Sequence, residues 1–121
     1  MQKLRKMFGY KTFDSYNAMC NGTSLMGYVD ADYKVLKKLF GKPLEGDGYK
    51  VDAEWVVSFD NGRNIATIYN YKDGKNYNGS RGLNKTQIRD WHIGGNSKIA
   101  VARVQEELEE YAYGKRMGQY A

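Results

Sequence analysis

The chain has 121 residues, 41% hydrophobic and 14% aromatic, with a net charge of +5. A chain of that size and composition builds one hydrophobic core without a metal or disulfide framework, which predicts a single α+β domain over residues 1–121. The single cysteine, Cys20, excludes an intrachain disulfide and cysteine-built zinc chemistry, and no apolar run approaches a membrane span. The N-terminus lacks the apolar segment of a signal peptide, so a cytoplasmic protein is expected.

The positive charge is concentrated. Residues 1–42 hold eight Lys or Arg against three Asp, whereas the counts balance over the rest of the chain. A localised excess makes a patch of positive potential suited to an anionic partner, or simply a solvated surface.

In chain order, residues 1–22 form a basic segment with two short helical candidates. Leu4, Met7 and Phe8 share a face of the first, and Asp14 caps a second that carries Tyr16, Met19 and Cys20. A strand is expected over Thr23–Val29. A helix follows, capped by Asp30 or Asp32, with Val35, Leu36, Leu39 and Phe40 as its apolar stripe and Gly41 as its stop. Lys34, Lys37 and Lys38 gather on the exposed side of that helix, with Lys42 just beyond, as a basic patch. Residues 43–52 are a glycine-punctuated loop containing Tyr49 and Lys50. Glu54–Asp60 alternates as a strand with Trp55, Val57 and Phe59 on one face. Asn61-Gly62 signals a hairpin, with Asn64–Lys72 returning. Ile88–Ile93 is a further short strand ended by Gly94-Gly95, and Asn96 or Ser97 caps a final helix over 96–113. That helix buries Val101, Val104, Leu108 and Tyr111 and stops near Gly114, and its acidic run from Glu106 to Glu110 faces water.

The hairpin register decides the exposure of two tyrosines. A two-residue Asn-Gly turn sets Trp55 opposite Ile68 and Val57 opposite Ala66, leaving Tyr69 and Tyr71 on the other face. A three-residue turn with a glycine bulge moves both into the core, and both registers are open on sequence grounds.

Three loops suit an anion. In HIGGNSK, Gly94 and Gly95 precede a helix N-terminus with Ser97 and Lys98 in reach, after the only histidine, His92. In YNYKDGKNYNGSRG, Lys72, Lys75 and Arg81 stand among Tyr69, Tyr71 and Tyr77, a mixture that holds phosphates and stacks on bases. GDGYK, with Tyr49 and Lys50, has the same character. Each is also readable as an ordinary turn. Catalysis has weaker signals. Asp90 and His92 share a strand face but lack an assignable nucleophile, and Asp52 with Glu54 lacks the lysine expected of a metal-dependent nuclease. No Walker-type loop or dinucleotide fingerprint occurs, and no cofactor or metal is expected.

The series GTSLMGYVDADY, KLFGKP, GDGYKVDAEW, ATIYNYKDGKNY and DWHIGG resembles small bacteriophage accessory proteins over about residues 22–95. The resemblance implies a phage origin and action in the cytoplasm of an infected bacterium. It assigns no catalytic residues. Together these features lead to an expected α+β domain, an antiparallel sheet of about four strands with helices mainly on one face. The expected activity is non-enzymatic capture of an anionic ligand, a nucleotide immune signal, by a possible homo-oligomer. The alternatives are a protein–protein inhibitor of a host nuclease or defence effector, and nucleic-acid binding through the basic patch.

Overall fold

Alternation of large apolar and polar residues through Glu54–Phe59 and Asn64–Tyr69 makes β3 and β4 an antiparallel pair at the centre of the sheet. The computed structural model describes residues 9–16 and 20–118. Three further strands complete the sheet: β1 (Tyr10–Phe13) and β2 (Ser24–Asp30) at its edges, and β5 (Asp90–Gly95) between β4 and β2. The order is β1-β3-β4-β5-β2, and every neighbouring pair is antiparallel. Helix α1 (Tyr33–Phe40), a single turn α2 (Lys75–Asn78) and helix α3 (Ile99–Arg116) complete the α+β fold.

One face of the sheet carries the core. Trp55, Val57, Phe59, Ala66, Ile68, Trp91 and Ile93 point to it and meet Leu36 and Phe40 of α1 and Ala100 and Val104 of α3. Asp32 caps α1 by accepting the Lys34 N–H at 2.8 Å, and Gly41 at φ +85 ends it, both as the sequence predicts. Lys34, Lys37 and Lys38 project outward from α1, with Lys42 exposed beyond it.

The sheet has five strands where about four were expected. The extra one is β1, which the glycine punctuation of the basic N-terminal segment hid. Its Tyr10 packs on Phe40 and Phe59 at 5.0 and 5.8 Å, so tertiary contacts rather than local periodicity decide its state. The first helical candidate and part of the second lie outside the described residues.

The Asn61-Gly62 connection is also longer than predicted. Asp60 to Arg63 form a four-residue turn in which Asp60, Asn61 and Gly62 all have positive φ. Its register is nevertheless that of the two-residue turn, Trp55 opposite Ile68 and Val57 opposite Ala66. Gly94 and Gly95 continue β5 instead of ending it, pairing with Thr67 and Ala66. A Cβ on Gly94 would strike Thr67 Oγ1, and one on Gly95 would lie 2.6 Å from the Ala100 Cβ. Glycine is thus required by crowding on both faces of the strand, not by a turn.

Helix α3 starts later and runs past Gly114, which is buried within it. Its acidic run is not all solvated. Buried Arg103 bonds Asp60, Glu106 and buried Glu107 at 3.2, 3.0 and 3.3 Å and lies 4.8 Å from the Phe59 ring, tying α3 to the β3–β4 turn. No described helix is long and apolar enough to cross a membrane.

Candidate functional site

The observed register sends Tyr69 of β4, and Tyr71 just beyond it, away from the core. Opposite the helices, Tyr28 of β2, His92 of β5 and Tyr69 of β4 are neighbours across three adjacent strands. The ring of His92 lies 4.8 Å from Tyr28, 5.5 Å from Tyr69 and 5.4 Å from Tyr71. Burial, with a smaller effect from the Glu54 charge, raises the Tyr69 pKa, keeping that phenol neutral at ordinary pH.

Beyond Tyr71 the surface becomes cationic. Lys72 Nζ lies 5.3 Å from the Tyr71 ring and 5.5 Å from the Tyr77 ring. Lys50 Nζ lies 6.0 Å from Tyr71 and 5.6 Å from Tyr49. Tyr49 and Tyr77 close the circuit at 5.3 Å. Tyr49 is 56% exposed, and Tyr71 and Tyr77 are 40% exposed, so these rings have free surface. Neither lysine pairs with a carboxylate among the described residues. Ring–ammonium contacts therefore form a continuous surface of alternating aromatic and positive groups.

A buried polar knot positions that surface. Fully buried Asn70 accepts from the Asp52 and Ala53 N–H groups at 2.7 and 3.1 Å through Oδ1. Its Nδ2 donates to Asp52 and Asp73, both at 2.9 Å. Asp52 also accepts the Asn76 N–H at 3.0 Å, and a Cβ on Gly74 would collide with its carboxylate. Asn78 Nδ2 donates to the Lys72 and Gly74 carbonyls, and the Lys72 N–H donates to the Lys50 carbonyl at 2.8 Å. These bonds lock residues 50–53 to residues 70–78. Side chains of Tyr49, Lys50, Tyr71, Lys72 and Tyr77 are held together as a result.

In and after the glycine loop GDGYK, three backbone donors are already engaged. Asp47 Oδ1 accepts the N–H groups of Tyr49, Lys50 and Val51 at 2.8, 2.9 and 3.0 Å, and those bonds hold its carboxyl below the usual range. Lys72 sits at φ +64, a region where a side chain costs about 1–2 kcal/mol and where glycine is far easier.

The structure therefore brings together two of the three loops. Tyr69, Tyr71, Lys72, Tyr77, Tyr49, Lys50 and His92 meet, and Gly94 is beside them, since a Cβ added there would lie 3.6 Å from Tyr69 Cε1. Lys75 and Arg81 are exposed on the same loop, with no ring contact among the described residues. Gly95, Ser97 and Lys98 lie at the opposite end of β4, where Asn96 bonds Ile65 and Arg63 and Ser97 Oγ accepts the Ile99 N–H. The basic patch of Lys34, Lys37 and Lys38 is on the helix side. Tyr28 escaped the sequence reading. It lies in the strand expected over Thr23–Val29, but only the β2–β5 pairing shows that it borders His92.

The catalytic candidates have other partners. No hydrogen bond links Asp90 to His92 among the described residues, and Asp52 is engaged by Asn70 and Asn76. Glu54, its pKa raised by burial against the opposing effect of its bond, accepts the Tyr16 hydroxyl at 2.8 Å. No cluster of three His, Cys, Asp or Glu arranged for a metal occurs among the described residues.

The fold and this surface define an α+β protein with an aromatic–cationic face. No protein-family model, curated protein or solved structure matches the chain.

Proposed function

We propose that this protein is a non-catalytic binding protein that captures a nucleotide on the Tyr71 surface. The observation that carries this reading is the placement of two ammonium groups, Lys50 and Lys72, beside one exposed tyrosine ring at 6.0 and 5.3 Å. Cations attract a phosphate, and the rings of Tyr71, Tyr28 and His92 offer a stacking surface for a base. The strained backbone at Lys72 supports the same reading, because strain at a non-glycine residue is commonly retained where the side chain is needed. The buried Asn70 knot fixes these groups before a ligand arrives, which lowers the ordering cost of binding. The resemblance to phage accessory proteins supplies the biological setting: sequestration of a nucleotide defence signal in the infected cell.

Isothermal titration against cyclic and linear nucleotides tests the proposal. It expects binding that Tyr71→Ala weakens by about tenfold or more while circular dichroism is unchanged. No heat with any nucleotide would refute it.

A second reading, inhibition of a host protein, draws on edge strand β2, where Leu25 and Tyr28 are 48% and 58% exposed and could anchor a partner. Co-purification of a stoichiometric host protein that Tyr28→Ala releases would favour it over nucleotide capture.

A further inference from the structure

We infer that the ligand of the Tyr71 surface is a two-base unit, two nucleosides joined by one phosphodiester. This inference rests on the nucleotide-binding reading and goes beyond it. The order of contacts carries it. His92 touches Tyr28, Tyr69 and Tyr71. Tyr71 in turn meets both ammonium groups, and those ammonium groups meet Tyr77 and Tyr49 on their other side. Tyr49 and Tyr77 touch each other, and neither touches His92, Tyr28 or Tyr69.

Two aromatic groups are thus separated by a pair of lysines. A mononucleotide, with one base and a terminal phosphate, uses only one aromatic group and leaves the other bare. A phosphodiester with a base on each side uses both, with its anionic oxygens between Lys50 and Lys72. One base stacks at Tyr28 and His92, and the other at Tyr77 and Tyr49. The N–H groups of Tyr49, Lys50 and Val51 already bond Asp47, so they are taken up within the loop. The side chains around them are arranged as ring, cation, ring.

The same chemistry occurs in a small dinucleotide and within a single strand, and titration distinguishes them. The full chain is titrated with mononucleotides, with linear and cyclic dinucleotides of the same bases, and with a longer single strand. Dinucleotides are expected to bind at least about tenfold tighter than mononucleotides, one extra stacked base being sufficient for that factor. Tyr77→Ala and Tyr49→Ala should weaken dinucleotide binding more than mononucleotide binding and so erase this advantage, with an unchanged circular dichroism spectrum showing that the variants are folded. A longer strand that binds no tighter per site than a dinucleotide supports the two-base unit. Affinity that keeps climbing with strand length overturns it in favour of single-stranded nucleic acid. Equal affinity for mono- and dinucleotides, or equal weakening of both by Tyr77→Ala, overturns it as well and leaves nucleotide binding standing. Failure of every nucleotide to bind defeats the underlying reading itself.

Discussion

Two basic, glycine-bearing regions stand at opposite ends of β4, and they use their polar groups differently. At one end, Asn96 and Ser97 turn inward to Ile65, Arg63 and Ile99, and Lys98 stands exposed with no ring beside it among the described residues. At the other end, Asp47, Asp52 and Asn70 also turn inward, yet the same bonds hold lysines and tyrosines outward as a group. Both regions look alike by composition. What separates them is whether satisfying the backbone leaves cations against exposed rings.

The largest effect should come from the knot itself. Asn70→Ala leaves the buried Asp52 and Ala53 N–H groups without that acceptor, takes one bond from each of the Asp52 and Asp73 carboxylates, and should cost about 3 kcal/mol in denaturant unfolding. It should also weaken ligand binding at the Tyr71 end, because the two loops lose their common anchor. A variant of undiminished stability would show that the loops hold together without it.

Tyr71→Ala is next, with binding weakened by about tenfold and stability nearly unchanged, since the ring is exposed. Lys72→Gly sharpens the contrast. It should weaken binding by roughly fivefold through the lost charge, while stability is kept or rises by up to about 1 kcal/mol as the backbone strain is relieved. A clear loss of stability would mean that the Lys72 side chain holds the loop rather than a ligand.

Glu54 tests the same face through pH. Its pKa is raised by burial, so its contribution to stability is full below the carboxylate range of the unfolded chain and is lost as pH rises through its folded value. Glu54→Gln should therefore unfold at a higher temperature than the parent at neutral pH, with the difference closing in acid. The smallest effect belongs to the far end, where Lys98→Ala should leave nucleotide binding unchanged within error.

Most of the fold was legible where periodicity and caps agreed, as in β3, β4 and α1. Strand β1 was not, because four residues after a glycine carry too little pattern and their pairing with β3 is non-local. The candidate site was half legible. Tyr71 follows from composition plus register, and the observed pairing of Trp55 with Ile68 settles which face it occupies. That Tyr49 and Lys50 join it depends on Asn70 and Asp52, a contact across 18 residues that no local signal encodes. The separation of HIGGNSK from the other loops was equally hidden, since both ends of β4 carry glycine and lysine.

An NMR titration of isotope-labelled protein with a dinucleotide tests nucleotide capture at the Tyr71 surface most directly. The expected result is a contiguous set of shift changes at Tyr28, Lys50, Tyr71, Lys72, Tyr77 and His92, with Asn96 to Lys98 and the α1 lysines silent. Changes confined to Lys98 or to Lys34, Lys37 and Lys38, or no changes at all, would contradict it.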